Sequence, residues 1–216
     1  MNTEEKILNR AHDLFVLQGI RSVTMDDLAQ SLGISKRTIY EHFEDKKTLV
    51  EEDAKFFYQI MKRETDRIIE EGDNIIQGVT GVLRFVKGML QVVTPLYFAD
   101  MKRYYPTAFD HISQKREMRK VDVTRVLVKR GIEQGVFRPD VNVELVAFFI
   151  NATVLADHEI VCEISNMKYG DFERDVIFAY LLGIATEKGR ALIDKETKAY
   201  FSQMNMFGME IPKFNY

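Results

Sequence analysis

Cysteine is almost missing from this sequence, and that scarcity is the first constraint on it. Cys162 is the only one in 216 residues, so no intrachain disulfide framework can form, and a reducing, cytoplasmic setting is expected. Proline is nearly as rare, at four, and no low-complexity tract occurs, which points to a mostly helical, fully folded chain. Hydrophobic runs are short. The longest, residues 176–185, falls well below the length needed to span a bilayer, so no membrane partner is expected. The opening Met-Asn-Thr-Glu-Glu-Lys lacks the charged-then-apolar pattern of a signal peptide. A large excess of either charge is absent too: 30 Lys and Arg stand against 33 Asp and Glu, for a net charge of −3. A chain that coats nucleic acid indiscriminately would be strongly basic, so any nucleic-acid binding must come from a local patch.

Catalytic constellations are missing as well. The sequence holds no glycine-rich phosphate loop, no His-Glu-x-x-His and no Cys-x-x-Cys, so neither an enzyme nor a bound cofactor is expected. Asp157-His158-Glu159 with Glu163 comes nearest to a metal-ligand spacing, although exposed polar residues at a helix end are the plainer reading. Cys162 beside them has no basic neighbour and reads more simply as inert packing than as a redox sensor.

What is present is concentrated in residues 24–43. Thr24 is an N-cap candidate, and Asp27, three residues on, completes a capping-box pattern. Met25, Leu28, Ala29 and Leu32 recur at helical spacing, and Gly33 stops that helix where a left-handed residue is wanted. Ser35 caps a second helix whose inward residues are Ile39 and Phe43. Two helices joined by a glycine turn of this length form a helix-turn-helix, which places its second helix in the DNA major groove. The outward residues Lys36, Arg37, Thr38, Tyr40 and His42 are all actual or potential donors. Bases and phosphates present mostly acceptors, which such a face suits. Asp45 caps a further helix that begins Lys46-Lys47, and two lysines at a helix N-terminus make a phosphate clamp.

Upstream, residues 3–18 form an amphipathic helix with Thr3 as its expected cap and Gly19 as its end. Its stripe of Ile7, Leu8, Ala11, Leu14 and Phe15 props the two helices that follow. Residues 3–50 taken together resemble the DNA-binding domain of TetR-family transcriptional regulators. The likeness is carried by Leu14-Phe15, Gly19, Thr24-Met25-Asp26-Asp27-Leu28-Ala29, Leu32-Gly33-Ile34-Ser35, Thr38-Ile39-Tyr40-Glu41-His42-Phe43 and Lys46-Lys47-Thr48-Leu49. It implies phosphate contacts from Thr24, Tyr40 and Lys46 and base contacts spread from Lys36 to His42. Ser35 and Lys47 complete the DNA-binding set. Arg37 departs from the family pattern, which often has a small residue there, and is the candidate for reading a guanine or reaching a phosphate.

The rest of the chain reads as helices over residues 46–71, 74–93 and 107–134, with 96–106 an aromatic-rich connector. Residues 115–130 hold seven basic side chains, best read as a solvated helix face. Two late segments, 146–156 and 176–185, are apolar nearly all round and therefore need cover on two sides. They are expected to pair across a two-fold axis through Phe148, Phe149, Ala152, Leu155, Phe178, Leu181 and Leu182. In the TetR-like reading a small molecule bound among the middle helices releases DNA. Phe85, Met89, Tyr97, Phe98, Met101, Tyr104, Tyr105 and Phe109 are the lining candidates, and their character suggests a hydrophobic or amphipathic effector. Beyond residue 197 a short helix to about Met204 and then an extended apolar segment are expected.

The expectation is thus an all-α protein with a three-helix helix-turn-helix domain over residues 1–47 and a helical ligand-binding and dimerisation domain over 48–216. It would act as a ligand-responsive homodimeric repressor on a palindromic operator.

Overall fold

Asn2, one residue before the expected Thr3, caps the first helix. Its side-chain oxygen accepts the Glu5 N–H at 2.8 Å, and the Glu5 carboxylate accepts the Asn2 N–H at 2.9 Å. This reciprocal box satisfies two amides that a helix start leaves without partners. In the computed structural model, which describes residues 2–154 and 172–206, this is α1 (Thr3–Gln18). It is followed by α2 (Met25–Leu32), α3 (Lys36–His42) and α4 (Lys46–Glu71). Then come α5 (Ile75–Val92), α6 (Pro95–Tyr104) and α7 (Pro106–Glu133). The last elements are α8 (Val143–Phe149), continuing as a π-helical turn (Ile150–Val154), and a second π-helical turn (Glu173–Phe178) leading into α9 (Ala179–Ile184). α10 (Glu187–Met206) follows. Among the described residues there is no strand, only one isolated bridge between Phe137 and Ala185, so the fold is all-α.

Two elements differ from the sequence reading. The expected connector is mostly helix, α6, because Thr94-Pro95 both ends α5 and starts the next helix. Thr94 caps it and Pro95 occupies the first turn, where a missing N–H costs nothing. The expected short helix after residue 197 belongs to the 20-residue α10, which begins ten residues earlier. Leu155, Asp157-His158-Glu159, Cys162, Glu163 and the chain after Met206 lie outside the described residues.

By packing, the described residues fall into two units: 2–65 with 85–116, and 66–84 with 117–154 and 172–206. The first contains the helix-turn-helix. Ile7, Ala11 and Phe15 of α1 share one core with Leu28 of α2, Ile39 of α3, Leu49 and Phe57 of α4, and Met101 of α6, all buried. Each such side chain contributes about 1.5–3 kcal/mol when withdrawn from water. One charged group lies inside this core. Asp53 of α4 is fully buried and accepts from His12 Nδ1 of α1 at 2.8 Å and from the Tyr97 hydroxyl of α6 at 2.7 Å. Phe56 and Phe57 pack against the His12 ring, with centroids 5.3 and 5.6 Å away. Additional backbone ties join α6 to the end of α1: the Thr94 N–H donates to the Val16 carbonyl at 2.7 Å, and the Arg21 N–H to Asp100 Oδ2, also at 2.7 Å.

The second unit is organised around a turn at residues 135–137. The Thr186 N–H donates to the Val136 carbonyl at 2.9 Å and the Thr186 hydroxyl to the Gly135 carbonyl at 2.7 Å. Gly189 permits this approach, since a Cβ there would stand 1.9 Å from the Val136 carbonyl oxygen. Tyr200 of α10 is fully buried and donates to Glu173 at 2.9 Å, and its ring packs edge-on to Phe178 and Phe201.

Tyr97→Phe should cost about 1–3 kcal/mol in urea unfolding at neutral pH, because it withdraws a donor from a buried carboxylate. Burial first, and the Asp53 charge second, raise the Tyr97 phenol well above its ordinary pKa of 10.0. The folded state therefore holds this proton more tightly than the unfolded state does. The linked stability is complete below a pH of about 10 and is lost as the pH climbs from there toward the folded value. Wild type should lose stability across that window more steeply than Tyr97→Phe; parallel curves would contradict the assignment.

Candidate nucleic-acid interface

The reading head is built by caps. Thr24 Oγ1 accepts the Asp27 N–H at 3.1 Å, and Asp27 Oδ2 accepts the Thr24 N–H at 2.8 Å and its hydroxyl at 2.7 Å. Those hydrogen bonds from Thr24 hold the Asp27 carboxyl below its usual range. Gly33 then takes the left-handed conformation (φ 65°, ψ 30°) that turns the chain into α3. Ser35 Oγ accepts the Thr38 N–H at 3.1 Å, and the two hydroxyls lie 2.9 Å apart. With Ile39 buried beneath it, α3 turns Lys36, Arg37, Tyr40 and His42 outward; Thr38 is half-buried.

The cations on this surface are held by neighbouring carboxylates. Lys36 Nζ donates to Asp26 Oδ2 at 2.8 Å, and that bond raises the lysine's pKa above 10.5. Arg37 Nε donates to Glu41 Oε1 at 3.1 Å one turn along the helix, and Lys47 Nζ stands 3.9 Å from Glu51 Oε1. All are exposed, so these pairs are weak and a phosphate or base edge can compete for the cations. The four outward side chains of α3 are exposed donors with Glu41 among them, and Thr24 before α2 and Lys47 at the start of α4 are exposed too.

Lys46 stands apart from them. Its ammonium is half-buried and donates to the carbonyls of Ile20 and Val23, at 2.6 and 2.5 Å. Burial pulls its pKa below 10.5, against the opposing charges of Asp100 and Asp27. It thereby ties the start of α4 to the loop that precedes α2, and this second task was not visible in a lysine pair at a helix start. His12 and Asp53 were also missed, although the sequence carried a signal. Asp53 sits at helical spacing among Leu49, Val50, Ala54 and Phe57, where a charge needs a buried partner.

The pocket candidates belong to the first unit's core. Met89, Tyr97 and Met101 are buried, and Phe98, Tyr105 and Phe109 pack against them. Phe85 is half-buried, whereas Tyr104 is exposed and its hydroxyl accepts from Arg21 Nη1 at 2.9 Å. Of the expected interface residues, Phe148, Phe149 and Ala152 are exposed, Leu182 is half-buried, and Phe178 and Leu181 are buried in the second unit's core. Helical period explains the split: Val176, Ala179 and Gly183 are the exposed positions of the same segment. Among the described residues no group of three or more His, Cys, Asp or Glu is placed to hold a metal ion.

Residues 7–52 match the family model described as bacterial regulatory proteins, tetR family. The chain is 29% identical over 156 residues to the HTH-type transcriptional repressor KstR2 of Mycolicibacterium smegmatis, an alignment covering 69% of this chain and 74% of that one. It is 38% identical over 52 residues to the HTH-type negative transcriptional regulator IcaR of Staphylococcus aureus, covering 24% and 28%. A transcriptional regulator from Cytophaga hutchinsonii has a similar fold, with a TM-score of 0.65 at 22% identity over 84% of this chain and 98% of that one.

Lys46→Ala should cost about 1–3 kcal/mol in urea unfolding, because two loop carbonyls lose a charged donor. A lysine that served DNA alone would leave the unfolding midpoint unchanged.

Proposed function

The chain belongs to the TetR family of bacterial regulatory proteins, and from that premise we propose that it is a ligand-responsive homodimeric repressor reading a palindromic operator through α2 and α3. It is a helix-turn-helix transcriptional regulator and not an enzyme. The observation that carries the rest is the capped two-helix head with an uncovered donor face on α3. In this reading residues 1–47 are the DNA-binding domain and 48–216 the effector-binding and dimerisation domain, in the cytoplasm. Lys36, Arg37, Thr38 and His42 face the major groove, while Thr24, Tyr40 and Lys46 meet phosphates, with Ser35 and Lys47 completing the DNA-binding set.

Two outward apolar stripes support the dimer. Leu145, Phe148, Phe149 and Ala152 follow one another at helical spacing, and Phe148 is 72% exposed. Val176, Ala179 and Gly183 form the second stripe, small enough for close helix approach. Paired across a two-fold axis, these stripes make the dimer, and a dimeric helix-turn-helix protein reads half-sites about one helical turn apart (~34–36 Å) or a multiple of it. The effector would be a hydrophobic or amphipathic molecule contacting Phe85, Met89, Phe98, Tyr105 or Phe109. It releases DNA by binding the non-DNA state better by ~1–3 kcal/mol.

The test is equilibrium binding to the DNA upstream of the chain's own gene across a salt series. The expected result is affinity that falls linearly with log salt. Arg37→Ala should cost roughly 1–3 kcal/mol and relax specificity at one base pair. A folded dimer that binds no DNA at low salt would overturn the reading. Phe148→Arg should convert the dimer to monomer in sedimentation, and a dimer unaffected by it would remove these stripes from the interface.

A further inference from the structure

The corner between α6 and α7 carries a cationic patch that the reading head does not account for. Arg21, in the loop before α2, donates from Nη1 to the Tyr104 hydroxyl at 2.9 Å. The guanidinium carbons of Arg21 and Arg103 each stand 5.4 Å from the centroid of the Tyr104 ring. Tyr104 is itself 40% exposed, and both arginines are exposed. An aromatic face attracts cations, so the ring holds each arginine near it without neutralising its charge.

Their lack of carboxylate partners sets them apart from the cations of the head. Lys36, Arg37 and Lys47 each stand beside Asp26, Glu41 and Glu51. Among the described residues neither Arg21 nor Arg103 forms an ion pair. Asp100 accepts from the backbone N–H of Arg21 and not from its guanidinium among the described contacts. Two guanidiniums held on one ring, solvent-facing and without an ion pair among the described residues, suit a polyanion, because each offers a planar fork of donors to phosphate oxygens.

The patch also adjoins the proposed DNA surface. Arg21 lies three residues before Thr24, and the two carbonyls that bracket it, of Ile20 and Val23, are those bound by Lys46 at the start of α4. Tyr105, next to Tyr104, packs against the core to which Leu49 and Val50 in the first turns of α4 belong. Arg21, Arg103 and Tyr104 therefore lie beside the starts of α2 and α4, continuous with the residues expected to meet phosphates.

We propose that Arg21 and Arg103, gathered by Tyr104, are a second phosphate-binding patch that engages the operator backbone next to the stretch covered by the head. The patch adds affinity and salt dependence without reading bases. This rests on the DNA-binding reading above.

The experiment compares the full-length wild type with Arg21→Ala/Arg103→Ala on operator DNA over a salt series. Each lost phosphate contact should flatten the slope of log K against log salt by about 0.9, with two contacts per protomer, and the variant should bind about tenfold more weakly or worse at the low-salt end. The loss should be similar for operator and unrelated duplexes. Arg103→Gln alone, whose side chain meets only the Tyr104 ring among the described contacts, should produce about half the change in a chain with an unaltered urea midpoint. A wild type that binds with a salt-dependent slope, matched by both variants, overturns the patch and leaves the DNA-binding reading intact. A wild type with no salt-dependent binding removes both.

Discussion

A single buried carboxylate of α4 ties the reading head's first helix, α1, to α4 and α6. Asp53 has no water to solvate it, and its two oxygens are divided between His12 of α1 and Tyr97 of α6. Hydrophobic burial around it is non-directional and names no particular partner for any one side chain of α1. A buried charge is less forgiving: displacing either donor leaves an oxygen unsatisfied at several times the cost of a lost apolar contact. The head is therefore positioned by a polar bond set inside an apolar core. Two further bonds fasten α6 nearby: the Thr94 N–H, at its cap, donates to the Val16 carbonyl of α1, and Asp100, in its middle, accepts from the Arg21 N–H in the loop after α1.

This constraint gives the surface chemistry its meaning. The donors of α3 are useful only if the helix is presented as a rigid unit, and the caps at Thr24 and Ser35 supply that rigidity locally. In the free chain Lys36 and Arg37 are occupied by Asp26 and Glu41, which lowers the field of an otherwise basic face in a chain of net charge −3. Exchange of these weak surface partners for phosphates and base edges costs little.

Much of this was legible in the residues. The caps, the left-handed Gly33 and the outward face of α3 all follow from local rules of spacing and residue type, and they appear where those rules put them. Local signals failed where one residue served two masters. Thr94-Pro95 stops one helix and starts another, and Lys46 is both a cation at a helix start and a bridge to two distant carbonyls. The partners of Asp53 are 41 and 44 residues away, so its apolar neighbours announced that a partner was needed but not which one. Phe178 and Leu181 show the limit of composition: an apolar segment reveals that it is covered, while its helical phase decides which residues face inward.

In the proposed dimer two identical heads, each set by its buried Asp53, meet one DNA duplex in successive major grooves. DNase I footprinting of the upstream DNA tests it most directly. The account predicts two protected patches related by a dyad, with centres about one helical turn (~34–36 Å) or a multiple apart. Protection spread evenly along the DNA, or a single patch without a symmetry mate, would contradict it.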